Sequence, residues 1–255
     1  MSIDSANSNQ QKRHDSRRIR INAVLPLSIL LSIISLPLAL PIFAAPVPLG
    51  ILDPKLIPKF VDPLVIPPIY SPEHVDASGE YYTVDVTQFN QKILPTGLGQ
   101  TSVWGYGGTT AGGRFQNAPG ATFEATKNTP VFVRWQNLLT GISHQFAVDP
   151  TLHWADPNGM GMPMAPFNAF PPGYTQAQSP VPIIPHLHGG EVQSTSDGHP
   201  EAWFTSNGLQ GPAYNTNLTT WWDGSPIQKS EAVFKYPNPQ PATTLWYHDH
   251  ALGIT

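Results

Sequence analysis

The 255 residues contain no cysteine. Disulfide staples are therefore excluded, and no thiolate is available as a metal ligand or a nucleophile. A domain of this size has core enough to do without such staples. Charge is scarce too, at 12% of residues. Five of the 13 Lys and Arg fall within the first 20 residues, so beyond them 8 basic residues face 15 acidic ones. No basic patch is left for a phosphate backbone, which removes nucleic acid as a partner. The apolar stretch from Ile21 to Ala45 is interrupted by Pro26, Pro37 and Pro41, which disfavours a stable membrane span. What is abundant is 29 Pro and 21 Gly without a collagen-like period. Spread among short apolar runs, they argue against helices and for a β-rich, loop-rich fold.

The organisation follows in three parts. Lys12, Arg13, Arg17, Arg18 and Arg20 precede the apolar stretch, so residues 1–45 read as a signal peptide or membrane-targeting segment. Ser16-Arg17-Arg18 points toward a twin-arginine route, and Ala44-Ala45 offers small residues for cleavage, a retained anchor being the alternative. The expected location is exported: periplasmic, cell-surface or extracellular. Residues 46–79 form a Pro-rich leader of extended geometry. Residues 80–255 form the domain. In it Tyr82, Val84 and Val86 alternate with Thr83, Asp85 and Thr87, as a half-buried strand does. Further strands are expected at Val131 to Trp135, with Arg134 and Gln136 facing out, at Ala121 to Ala125, at 232–236 and at 243–248. Ser102 to Gly108 reads as a short strand entering a glycine turn. The long stretch from Gly141 to Pro182 carries Met160, Met162 and Met164, which either pack as a loop or offer soft thioethers to Cu(I). His144 and His153 stand outside any ligand spacing. Phe204 to Ser230 is a second loop, anchored by Trp221-Trp222.

Two segments carry the chemistry. Pro185-His186-Leu187-His188-Gly189-Gly190 and Trp246-Tyr247-His248-Asp249-His250 each set a His-x-His at the end of an apolar run. On a strand, i and i+2 point to one face with Cα atoms about 6.6–7 Å apart. That span is awkward for chelating one ion and suited to feeding two metals held close together. Imidazole suits copper, zinc and iron alike, so the pattern says metal without saying which; surface or capping histidine pairs are the plain alternative. Asp249 should point to the opposite face and hold a backbone group. Gly189 and Gly190 let the chain turn sharply.

These segments, with Ser196-Asp197-Gly198-His199-Pro200-Glu201-Ala202-Trp203-Phe204 between them and Ala251 to Thr255 after them, resemble the first part of a multicopper oxidase. The likeness is to the bacterial laccase and bilirubin-oxidase branch that includes the spore-coat laccases, and it spans roughly residues 54–255. It extends to the leader, Lys59 to Pro67, which in that branch wraps onto the body. The resemblance implies an all-β fold, a cupredoxin-like Greek-key sandwich, here the first domain and incomplete at its C-terminal end. It implies copper. His186 would bind the type 2 ion of a trinuclear cluster, and His188, His248 and His250 the type 3 pair. Asp197 would be the catalytic carboxylate that relays protons or orients water, unless it is only an Asx-turn residue before Gly198. Glu201 and Trp203 would be structural. The implied activity is oxidation of phenolic, pigment or metal substrates coupled to reduction of O2 to water. Its partners would be O2, a small reducing substrate, and a C-terminal cupredoxin domain completing the cluster. The family's type 1 copper needs a Cys, which this chain lacks, so the chain alone is expected to be inactive. A non-enzymatic copper-binding module is the second reading. A zinc hydrolase is the third, disfavoured because no third ligand stands near either pair in sequence.

Overall fold

The apolar alternation of residues 82–86 is realised within the longest strand among the described residues. A computed structural model describes residues 52–145 and 179–250. They belong to one compact unit, Leu52–Thr255; the other unit, Met1–Ile51, lies outside them, as do His153 and the three clustered methionines. Among the described residues there are strands β1 (His74–Asp76), β2 (Gly79–Gln91), β3 (Thr101–Thr110), β4 (Gly113–Asn117) and β5 (Val131–Asn137). After the undescribed stretch come β6 (Pro182–Ile183), β7 (Pro185–His188), β8 (Phe204–Thr205), β9 (Glu231–Tyr236) and β10 (Trp246–Asp249). Among the described residues helix is confined to two three-residue 3-10 turns, Pro54–Leu56 and Ser194–Ser196. No described helix is long and apolar enough to cross a membrane.

The main sheet runs β4-β3-β2-β5-β9, with β1 paired to β2 beside it. All its pairs are antiparallel except β2 with β5, which is parallel and requires a crossover. Facing it are two small sheets, β6-β8 and β10-β7. The core lies between the layers: Tyr82, Val84, Val133, Trp135 and Phe234 from the sheet meet Ile184 and Phe204 from the facing strands. Burying one such side chain stabilises by roughly 1.5–3 kcal/mol. The described residues adopt the expected all-β class.

Asn137, fully buried, joins the two layers. Its amide nitrogen donates to the carbonyls of Val181 (2.9 Å) and Phe204 (3.0 Å), and its Oδ1 accepts from Leu139 N (3.1 Å). The sheet's other face is also covered in places. Tyr81, Phe132 and Val233 pack under Trp221, so Trp221 anchors its loop, whereas Trp222 stays 42% exposed and stacks on His74. Arg134 and Gln136 do leave the main core, as expected, but not for open solvent. Arg134 makes a forked pair with buried Glu231 at 2.8–3.0 Å, and Gln136 donates to the same carboxylate at 2.6 Å.

Three expectations are corrected. The glycines at 105, 107 and 108 sit inside β3 rather than in a turn. A Cβ at Gly107 would lie 2.6 Å from Arg114 and 2.8 Å from Asp85, and one at Gly108 would lie 2.6 Å from the Tyr70 ring; the glycines leave room for neighbours. Residues 121–125 are not a strand, because only Thr122 finds main-chain partners, at Pro68 and Tyr70. The second loop begins with a strand, since Phe204–Thr205 pairs with Pro182–Ile183. The leader from residue 52 onward is bound to the body. Asp62 takes Lys92 at 2.9 Å and the backbone N–H of Thr96 at 2.8 Å, which holds its carboxyl down to about 2, with the Thr96 hydroxyl the largest cause. Ser71 N donates to Thr109 O, and β1 closes onto β2.

Candidate metal centre

Side-chain alternation on the ribbon β7-β10 decides where the histidines point. Leu187 and Tyr247, a directly paired couple, face the core. Tyr247 is fixed there by its hydroxyl, which donates to Ala121 O at 2.8 Å, and by an edge contact with Tyr106 at 5.0 Å. They border a cavity of about 560 Å³ whose walls include Phe123, Trp135 and Tyr236. With those residues committed inward, positions 186, 188 and 248 must take the opposite face. The antiparallel register sets His248 opposite His186 and Trp246 opposite His188. Pairing continues one step further, where His250 N donates to Ile184 O at 2.8 Å.

Sixty residues of chain thus separate two histidine pairs that form one group. Ring centroids of His186 lie 5.7 Å from His188, 5.4 Å from His248 and 4.9 Å from His250, and His248 lies 5.7 Å from His250. Ligand nitrogens of His186, His188 and His248 all fall within 4.8 Å of one another. No third candidate stands near either pair in sequence; strand pairing sets each pair beside the other.

Hydrogen bonds fix the tautomers. A carbonyl only accepts, so the ring nitrogen facing it must carry the proton. His186 Nδ1 donates to the carbonyl of Asp197, and His248 Nδ1 to that of Asp249 at 2.8 Å. In the neutral ring this tautomer leaves Nε2 as the bare lone pair, the arrangement a metal-binding imidazole needs. His248 Nε2 lies 3.3 Å from His188 Nδ1. His250 keeps a buried Nδ1 without a hydrogen-bond partner. Burial first, then the neighbouring His186 and His248, hold its pKa below the ordinary 6.5, so its ring is neutral at neutral pH. An all-imidazole set with bare nitrogens and one orphaned buried nitrogen fits a borderline-soft divalent ion such as copper.

Asp197 lies beside this group, but its nearest tie to it is through the main chain. Its carboxylate is 3.6 Å from His186 Nδ1 and about half exposed, whereas its carbonyl is bonded to that nitrogen. The close approach depends on Gly198, at φ +76°, where a Cβ would stand 2.2 Å from Pro185 O. Sequence reading noticed the Ser-Asp-Gly block but not this contact, for which only the glycine was a signal. Asp249 points away from the histidines, and its Oδ1 accepts from Ile184 N at 2.7 Å. Gly189 adopts φ +80° at the turn, and a side chain at Gly190 would meet Leu187 at 2.7 Å. The His144 ring meets the edge of Trp104, with centroids 4.9 Å apart. Trp203 is buried in the core, and Glu201 carries a main-chain bond to Ala213.

No family model matches the chain. A laccase of Bacillus subtilis (strain 168) is 32% identical over 177 residues, covering 69% of this chain and 26% of that protein. A laccase of Haloferax volcanii is 31% identical over 187 residues, covering 73% and 26%. A multicopper oxidase of Oryza sativa subsp. japonica, LPR1 homolog 3, is 34% identical over 173 residues, covering 68% and 24%. The matched part spans about a quarter of the length of these relatives. Among solved structures, a laccase from Pediococcus acidilactici aligns over 76% of this chain and 27% of its own, at 18% identity and a TM-score of 0.42. By its sequence relationships, the chain belongs to the multicopper oxidase family, with bacterial laccases among its relatives.

Proposed function

We propose that this chain supplies half of the histidine ligands of a trinuclear copper cluster in a laccase-like multicopper oxidase. The observation that carries the reading is the register of β7 on β10, which gathers His186, His188, His248 and His250 on one face of one ribbon. His186 would hold the type 2 ion and His188, His248 and His250 the type 3 pair. When bound, copper supplies one-electron redox chemistry and a site for reducing O2 to water. The chain's own residues have narrower tasks. The carbonyls of Asp197 and Asp249 orient two imidazoles with Nε2 outward. The Asp197 carboxylate, close to His186 and about half exposed, would pass protons between water and the site. A further cupredoxin domain would bring the remaining ligands, and phenolic, pigment or metal donors the electrons. The basic and apolar N-terminal segment would direct export.

A second reading, a copper-binding module without turnover, is favoured by one observation: no cysteine exists to build a type 1 centre. Cu(II) titration of the purified chain tests the site itself. The wild type should bind copper in preference to zinc, and His188→Ala and His248→Ala should each abolish most of that binding. Unchanged stoichiometry in either variant would refute the ligand assignment, and preference for zinc would favour a hydrolytic site. Laccase-like oxidation of a phenol by this chain alone, or a strong blue absorption band, would refute the inactivity of the lone chain. The coding sequence beyond codon 255 separates the two copper readings: a continuation with a His-Cys-His motif favours the oxidase. A reporter fused after residue 79 and retained in the cytoplasm would refute export.

A further inference from the structure

Trp246 is the one large apolar side chain on the histidine face of the ribbon, and it is 58% exposed. Its ring is nonetheless ordered by two imidazoles. Across the ribbon it is the direct partner of His188, with ring centroids 5.1 Å apart and planes 29° from parallel. Along its own strand it stacks on His248 at 4.1 Å and 24°. A single indole therefore touches one ligand from each strand, the same two whose nitrogens approach to 3.3 Å. His188 is the exposed member of the three-nitrogen group and has most rotamer freedom to lose, so a stacked plane orders the ligand that most needs ordering. An imidazole that ligates a cation also takes up part of its charge, and the electron-rich indole face favours that form.

We propose that Trp246 is a positioning residue of the copper site: its indole clamps His188 to His248 across the ribbon and raises the copper affinity of that pair. The inference rests on the copper reading above. On cation–π magnitudes at exposed sites, the clamp should be worth about two- to fivefold in affinity.

The test uses the full chain and Cu(II) alone as probe, with competition against a chromophoric chelator. Trp246→Leu should weaken binding about two- to fivefold, and Trp246→Phe, which keeps a stacking ring, should recover most of the loss. Metal-free spectra of the imidazole Cε1–H groups supply an independent readout. The ring-current shifts of His188 and His248 should vanish in Trp246→Leu and persist in part in Trp246→Phe, while those of His250 stay put. Equal copper affinity in wild type and Trp246→Leu would overturn the clamp and leave the copper reading intact. Equal weakening by Leu and Phe would overturn stacking as its cause. Failure of the wild type to take up copper would sink the copper reading and the affinity claim together, whereas absent ring-current shifts in the metal-free wild type would sink the clamp alone. Should the Leu variant lose its far-ultraviolet signal, the Phe variant and the wild-type spectra still decide the matter.

Discussion

The main sheet and the histidine ribbon are built from the same element and differ in nearly everything else. The five strands of the β4-β3-β2-β5-β9 path bury Val84, Val133, Trp135 and Phe234 and satisfy their buried charges internally, as Arg114 does for Asp85 at 2.8 Å and Arg134 for Glu231. The ribbon has two short strands, packs half-buried Leu187 and Tyr247 against the core and carries histidines on its other face. Stability resides in the first, and the proposed copper chemistry would reside in the second. The price of the division is that the ribbon's geometry is held by contacts borrowed from elsewhere: Tyr247 on Ala121, Asp249 on Ile184, the Asp197 carbonyl on His186.

If that division is right, the two regions break differently. Trp135→Ala removes the largest fully buried side chain of the sheet and should cost about 3–5 kcal/mol of stability, read by denaturant unfolding. His188→Ala, on the exposed edge, should leave stability within about 0.5 kcal/mol while copper binding collapses. A comparable stability loss in both variants would erase the distinction. Asn137→Ala tests the joint between the layers: two carbonyls and one N–H lose their partner in a buried place, so unfolding should become easier by about 2–3 kcal/mol.

How much of this was legible in the sequence depends on distance along the chain. Strands β2, β5 and β9 could be read because apolar alternation is local. The glycines of β3 misled, since a glycine that makes room for Tyr70 or Arg114 looks like a glycine that turns. Residues 121–125 misled because alternation does not reveal whether a neighbour is there to pair with. At the site, each His-x-His and the backbone-holding role of Asp249 on the opposite face were legible from period-two geometry. Their joining into one group came from the family resemblance and not from spacing, because the register of His186 on His248 is set across sixty residues by Leu187 and Tyr247 seeking the core. Nor could the sequence show that Asp197 holds His186 by its carbonyl, or that Trp246 lies over two of the histidines.

Smaller effects sharpen the same contrast. Gly198→Ala pushes the loop off Pro185 O and withdraws the Asp197 carbonyl from His186; copper affinity should fall about tenfold with little change in the sheet's hydrogen-exchange protection. Protection lost throughout the sheet would mean the loop is part of the scaffold. The smallest expected effect is a pH dependence. His250 has a folded pKa below its unfolded 6.5, so as pH falls below 6.5 the unfolded chain takes up the proton first and stability declines. In metal-free protein, Tm should drop less between pH 7.5 and pH 5 in His250→Gln than in the wild type. Identical slopes would mean that His250 is not held neutral by its surroundings.

The central claim is that the two His-x-His pairs act as one metal-binding set because one ribbon carries both. A double-mutant cycle on copper affinity, with His188→Ala, His248→Ala and the double variant, measures it directly. One shared set predicts strong non-additivity: either single change removes most of the affinity, and the double change adds little. Additive losses, with each single variant retaining a copper of unaltered affinity on its intact pair, would show two independent sites and contradict the account.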